Sequence, residues 1–334
     1  LGAGDQIATM NFSNYTYLLT AFAGFVLFQN PAKGQQMPQY SQYVFNALHI
    51  NPAYAGYKVD PFVQATYRSQ FMNFPGAPNT ISISADMGNL EETMGYGLSI
   101  IADELGPYKT HSFLLTYAYK VRLTQDSFLG LGLSSGVSEH VLDAGKLQPD
   151  DPSDPGIPQG RLNAFTPNLN AGLFYHSPKF FSGLSAFNLL GQNSLKNSDL
   201  ALATNNYHFY FQAGGLLPLS DGLAFKPSIL IREDLKGPSS YDINTMFLLN
   251  EQFWLGAAYR SSLRKGNIDV GNLPSNRTAL AILFDLFITD EVRFGYAYDF
   301  NLNSNNNYRN NSHEFSLGYY INNKWLKTPT QRAF

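Results

Sequence analysis

The sequence predicts an all-β fold: a transmembrane antiparallel up-and-down β-barrel of the outer-membrane type, with about 14 strands. Three observations carry that expectation. Apolar side chains recur at period two in segment after segment, so that one face of each strand meets an apolar medium and the other a small or polar one. The connections between segments alternate between short and long. Of 334 residues, 15% are aromatic and only 14% charged, whereas soluble domains are about one-quarter charged.

Composition also removes several classes. Disorder does not fit 21 Tyr, 26 Phe and a net charge of −3, because disordered chains are poor in aromatics and rich in net charge. The same charge argues against nucleic acid as a partner. No cysteine is present, which removes thiolate metal sites, cysteine nucleophiles and disulfides. A soluble β-protein with an aromatic core would need far more charge on its outer faces.

Three regions are expected in chain order. Residues 1–34 read as a signal peptide with an upstream extension. Their apolar run, Tyr15–Phe28, is 14 residues long, which suits a signal h-region and is too short for a spanning helix. Ala32-Lys33-Gly34 offers a cut before Gln35, although the stretch preceding the run has no Lys or Arg. Residues 35–61 read as an N-terminal periplasmic or luminal segment, because Pro38 and Pro52 interrupt it and its apolar residues follow no single period. Residues 62–334 read as the barrel.

Strands are expected near 62–71, 79–88, 95–103, 110–123, 126–140, 166–177, 179–190, 207–218, 222–232, 240–250, 253–263, 277–288, 291–301 and 313–322. In 291–300, Val292, Phe294, Tyr296, Tyr298 and Phe300 share one face, and Arg293, Gly295, Ala297 and Asp299 the other. In 253–260, Leu255 and Tyr259 oppose Trp254 and Arg260. In 313–321, Phe315, Leu317 and Tyr319 oppose Glu314, Ser316, Gly318 and Tyr320. Short connections at 124–126, 177–178, 219–221, 251–252 and 289–290 alternate with long ones at 141–165, 191–206, 233–239, 264–276 and 301–312. Only 88–94 is long where a tight periplasmic turn is expected. An even strand count puts both chain ends on the periplasmic side. Rings near strand ends, including Tyr117, Tyr119, Phe300, Tyr319 and Tyr320, suit interfacial girdles.

Candidate functional residues fall in three places. Gln39, Tyr40, Tyr43, Phe45, Asn51, Pro52 and Tyr54 belong to the aperiodic segment, which either plugs the pore or touches partner machinery, or else packs on the barrel rim as an ordered lead-in. Asp150, Asp151 and Asp154 sit in the longest connection, a candidate external partner surface; their spacing is not that of an EF-hand, so no metal is assigned. Arg260 and Arg293 alternate with apolar neighbours and should point into the lumen, since a lipid-facing charge at mid-bilayer costs about 2–4 kcal/mol. Luminal ion pairs with residues such as Asp86, Asp285 and Asp299 are the expected partners.

Catalytic signals are weak. The chain has no G-x-S-x-G elbow and no H-E-x-x-H helix. His111 and His140, on neighbouring strands with Ser112 and Ser138, are the one arrangement that could mimic a hydrolase. No catalytic residue and no cofactor are assigned.

A family resemblance adds to this reading. Gln39–Asn46 reads Q-Y-S-Q-Y-V-F-N, and Asn51–Gly56 reads N-P-A-Y-A-G. Downstream come Arg68, Gly76-Ala77-Pro78-Asn79-Thr80, Tyr96-Gly97-Leu98-Ser99, Asp103 with Gly106-Pro107, His313-Glu314 opening the last strand, and the tail Thr330–Phe334. Together these resemble the PorP/SprF family, outer-membrane proteins of the type IX secretion system of Bacteroidetes. The Asn-rich stretch at 301–311 departs from the pattern. The resemblance implies a non-enzymatic outer-membrane component that helps secrete, receive or anchor a specific large surface protein of the adhesin or gliding type. It implies secretion translocon or motor subunits and outer-membrane lipid as further partners. The competing reading is a passive channel for small or hydrophobic solutes.

Overall fold

The computed structural model describes residues 37–147, 160–190, 206–235, 239–263, 279–302 and 311–321. Strands β1 (Phe62–Ser69), β2 (Asn79–Gly88), β3 (Met94–Leu105), β4 (Tyr108–Arg122) and β5 (Phe128–Asp143) come first. They are followed by β6 (Arg161–His176), β7 (Phe180–Phe187), β8 (His208–Gly215), β9 (Leu217–Ser220) and β10 (Leu223–Asp234). The last are β11 (Ser240–Leu249), β12 (Phe253–Ser262), β13 (Ala279–Phe287), β14 (Val292–Asn301) and β15 (Ser312–Tyr320).

All pair antiparallel in one sheet, and β15 returns to β1 in register from Phe62↔Tyr320 to Ser69↔His313. That pairing leaves no open edge. Segments β8 and β9 are two pieces of one strand. Gly214 opposes Ser228 and Leu217 opposes Phe225, and between them Pro227 has no N–H to donate. The barrel therefore has 14 strands. No described helix is long and apolar enough to cross a membrane; the crossing is made by strands.

Alternation decides which way each side chain points. On β14, Arg293, Gly295, Ala297 and Asp299 are buried while Phe300 is exposed. On β15, Phe315, Leu317 and Tyr319 are exposed whereas Glu314, Ser316 and Tyr320 are buried. Tyr320 thus leaves the outer girdle expected of it and packs inward on Phe62, with ring centroids 4.5 Å apart. Tyr117 and Tyr119 are exposed on the outer face. The exposed Ile81, Ile83, Leu115, Leu133, Leu184, Leu255 and Ile282 give the barrel an apolar belt.

The structure corrects three details. First, the connection expected at 141–165 is strand at both of its ends: β5 runs to Asp143, β6 starts at Arg161, and these two residues pair. The hairpin thus rises beyond β7, level with the β3–β4 turn, on polar outer residues, with His111 facing Glu139 at 3.3 Å and Asn163 donating to Glu139 at 3.4 Å. At its tip, Lys146 donates to Glu104 at 2.9 Å, and that bond raises the lysine pKa. Second, length does not alternate strictly, because β3 and β4, at the end that carries the long connections, are joined by Gly106-Pro107 alone. Gly106 supplies the positive φ (57°) that this turn needs. Third, β1 starts and β15 ends at the short-turn end, but the described chain begins at the other one. Met37 and Pro38 lie beside Leu105 and Tyr108 at the long-connection end, and the chain descends to Pro61. The five-residue turn after β2 is held by Asn89, whose Oδ1 accepts from the backbone N–H groups of Thr93 and Met94, both at 2.8 Å.

Candidate functional site: the N-terminal segment and the lumen

Residues 37–61 form three single-turn 3₁₀ helices, Gln42–Val44, Ala47–His49 and Pro52–Tyr54. Local sequence explains these short turns. Asn46 accepts from the N–H of Leu48 at 3.2 Å and Asn51 from the N–H of Ala53 at 2.9 Å, both as N-caps. Pro52 at the first helical position gives up only an N–H that would lack a helical partner. The segment is buried nearly throughout: Tyr40, Tyr43, Phe45, Asn51, Ala53, Tyr54 and Ala55 all lie at or below 6% exposure.

Its partners are inward-facing side chains around the circumference. Ser41 bonds to Asp299 of β14, and the N–H groups of Ser41 and Gln42 donate to Glu314 of β15 at 2.8 and 2.9 Å. Asn46 donates to Ser84 of β2 at 2.8 Å, and Asn51 to the carbonyl of Leu173 in β6 at 2.9 Å. Ser185 of β7 donates to the carbonyl of Ile50 at 2.5 Å, and Lys226 of β10 to that of Val44 at 3.0 Å. Lys120 of β4 donates to the carbonyl of Gly56, and Asn244 of β11 to the hydroxyl of Tyr43. A segment bonded to strands on every side occupies the lumen.

The N-P-A-Y-A-G block owes each residue to a contact. Tyr54 stacks on Tyr57 at 5.2 Å and meets Phe174 edge-on at 5.5 Å. Ala53 and Ala55 pass so close to β5 and β3 that a Cβ on Gly132 or Gly95 would overlap their backbone. Gly56 has φ +68° and donates its N–H to Asp86 at 3.0 Å, a conformation that favours glycine.

Upstream, the ring of Tyr40 stacks on His49 at 4.6 Å. Phe45 lies under the Arg293 guanidinium at 4.7 Å and beside Trp254 at 6.4 Å. Gln39 lines the upper lumen with Met37 and Pro38.

Charges in the lumen form a compensated set. Arg68 pairs with Asp299 at 2.5 Å and Glu314 at 2.7 Å. Asp242 accepts from Arg232 and from Arg260, both at 2.9 Å, and Arg260 lies 4.0 Å from Asp299. Three guanidinium groups thus meet three carboxylates, as burial demands. Arg293 pairs with Asp285 at 2.5 Å. Asp86 serves the Gly56 N–H rather than an arginine, and the principal partner of Arg260 is Asp242, which sequence reading missed. The signal was available, because the three-residue turn after β11 sets Asp242 opposite Arg260.

Asp150, Asp151 and Asp154 lie outside the described residues, as do the signal-peptide region, most of the Asn-rich stretch and the C-terminal tail. Among the described residues no cluster of His, Asp and Glu could hold a metal ion. The hydrolase-like arrangement does not assemble. His111 lies on the outer face of β4, Ser112 and Ser138 bond to each other at 2.5 Å, and His140 bonds to Thr166 at 3.0 Å.

Against known families, residues 32–319 match the model of the type IX secretion system membrane protein PorP/SprF. The chain belongs to that family. With its closed barrel and apolar belt, membership places this PorP/SprF protein in the bacterial outer membrane as a component of type IX secretion. No curated protein matches the chain. Among solved structures it is similar to a Pseudomonas aeruginosa FadL homologue, at 11% identity and TM-score 0.47, over 87% of this chain and 96% of that one. A TodX mutant, a monoaromatic hydrocarbon channel, is 10% identical with TM-score 0.49, over 81% and 92%. Omp33 of Acinetobacter baumannii is 9% identical with TM-score 0.45, over 79% and 98%.

Proposed function

We propose that this PorP/SprF protein is a non-enzymatic receptor of type IX secretion that receives or retains one large surface protein at its long-connection end, with its own N-terminal segment as a permanent plug. Family membership supports the secretion role. The observation that carries the plug is the burial of 37–61 against inward side chains on every side of the barrel. A secretion component of this width must not leak solutes, and a lumen filled with protein meets that need without a moving part. The β5–β6 hairpin at that end, with the sequence between its strands that carries Asp150, Asp151 and Asp154, is the candidate surface for such a partner. Translocon or motor subunits would meet the opposite, short-turn end.

The test is purification from native outer membranes in mild detergent. A large surface protein recovered in near-stoichiometric amount, and lost from the cell surface when this gene alone is deleted, is the expected result. A barrel that purifies alone, with every surface protein still in place after deletion, would overturn the receptor role. The channel reading would then lead, provided that the isolated barrel conducts.

A further inference from the structure

Above the plug, at the long-connection end, the lumen holds a chamber of about 370 Å³ between the barrel wall and Met37-Pro38. That is within the range of pockets that hold small ligands, roughly 300–1,000 Å³. Its wall is built from β3, β4, β5, β6 and the facing ends of β7 and β8. A second space of about 360 Å³ beside it is lined by Arg68, Arg260 and Asp299. The first chamber has a different chemistry: no Lys or Arg lines it among the described residues, and Asp103, its one carboxylate, accepts from Thr80 at 2.5 Å.

Beside the apolar Met37, Ile101, Leu105, Leu114 and Phe187, neutral amides are the most numerous polar side chains. Asn168, Asn170, Asn188 and Asn206 all line the chamber. Two of them are committed to the fold: Asn170 accepts from the N–H of Asn188 at 2.9 Å, and the Asn188 side chain donates to the carbonyl of Asn206 at 3.2 Å. Two keep hydrogen-bonding capacity in reserve. Asn168 and Asn206 are 5% and 2% exposed. The Oδ1 of Asn168 and both amide atoms of Asn206 have no hydrogen-bond partner. Polar atoms buried in this way are costly unless something bonds to them. Ser112, Ser138 and the Asn168 Nδ2 already form a ladder at 2.5 and 2.6 Å across β4, β5 and β6, which fixes the Asn168 amide on that wall. The rings of Tyr108 and Phe187 supply apolar faces.

We propose that this chamber binds a neutral saccharide of about one or two rings. Sugar hydroxyls donate and accept in adjacent pairs, as a primary amide does, and the C–H faces of a sugar ring rest on aromatic rings. An anion would find no cation in the chamber. An extended peptide is recognised through a free strand edge, and this closed barrel has none. The proposal is independent of the receptor role, and its test uses no secreted partner.

The full chain, purified in a detergent without a sugar headgroup, is probed by saturation-transfer NMR with free maltose, cellobiose and chitobiose. In parallel it is applied to an array of the same glycans coupled to protein and to lipid carriers. Saturable binding that falls about tenfold or more in Asn168→Ala/Asn206→Ala supports the site. Ser112→Phe, which fills the chamber and leaves both amides in place, should abolish binding as well. Retention of the heat-modifiable barrel band on gels shows that each variant has folded. Binding of free sugars identifies a diffusible ligand, and binding only of coupled glycans identifies a glycoconjugate; either supports the proposal. No sugar bound by the unaltered chain, binding that survives both variants, or capture of unglycosylated peptides in place of sugars would overturn it.

Discussion

Two walls of the same lumen hold the N-terminal segment by different physics. The wall from β3 to β7 is lined with glycines where the segment passes: Gly95, Gly132, Gly172 and Gly183 each lie so near the Asn51–Gly56 block that an added Cβ would strike it. Missing side chains let the block's backbone at Gly95 and Gly132, and the Asn51 side chain at Gly172 and Gly183, come into close contact. Shape thus sets the position, with bonds from Lys120 and Ser185 added to it. The wall from β10 round to β1 reaches out with long side chains instead. Lys226, Arg260, Arg293, Glu314 and Arg68 hold the segment by charge, hydrogen bonds and ring contact. Glycines occur on that wall too, but only Gly295 among them meets the segment, at the Gln42 side chain; a Cβ on Gly318 would meet the ring of Phe62, and one on Gly256 the Thr245 carbonyl and the Met246 side chain. The glycine wall fixes where the segment lies, and the charged wall fixes its depth and register.

The largest effect should come from breaking the glycine wall. In Gly132→Val the new side chain overlaps Ala53 backbone, which has no rotamer to move, so the block must leave its seat. Planar-bilayer recordings should show frequent open steps from a barrel that remains heat-modifiable on gels. Steady silence from that variant would mean that the close approach is not needed for closure. A smaller effect is expected at the charged wall. Glu314→Ala strips the acceptors from the Ser41 and Gln42 N–H groups and leaves Arg68 with Asp299. Breaking a buried pair costs about 3–5 kcal/mol, and the visible result should be brief openings together with faster proteolysis near Gln42. Protection equal to that of the unaltered chain would remove this pair from the latch.

The smallest effect should follow Asn51→Ala. It loses the cap on Ala53 and the bond to Leu173, about 1–2 kcal/mol for a cap. Conductance should stay near zero, while the temperature at which the barrel unfolds on gels falls by a few degrees. A fall as large as that of Glu314→Ala would show that the capping bond, rather than the charge, is the stronger anchor.

Much of the barrel was legible in the sequence because strand parity is a local property. Arg260 and Arg293 could be aimed inward from their neighbours alone, and the 14 strands fall within a few residues of their expected bounds except where β5 and β6 extend the hairpin. Parity also sets Tyr320 on the inner face with Glu314 and Ser316, where it lies; its place near a strand end, which suggests a girdle ring, misleads. The course of residues 37–61 was much less legible. Aperiodicity marked the segment as unlike a strand, yet plug and rim have the same local pattern, so period could not choose between them. Its direction, with Met37 at the end opposite Tyr320, depends on contacts such as Ser41 with Asp299 that are separated by most of the chain. The glycine wall did leave a trace, in glycines at inward positions of β3, β5 and β6, but only the partner segment gives those positions meaning.

The central claim is that residues 37–61 close this barrel, and single-channel conductance tests it most directly. The full chain and a chain lacking residues 35–56 are reconstituted separately in planar bilayers, each confirmed as a heat-modifiable barrel. The full chain should be silent, and the truncated one should show stable openings of uniform size. Equal conductance from the two, whether open or silent, would contradict the claim.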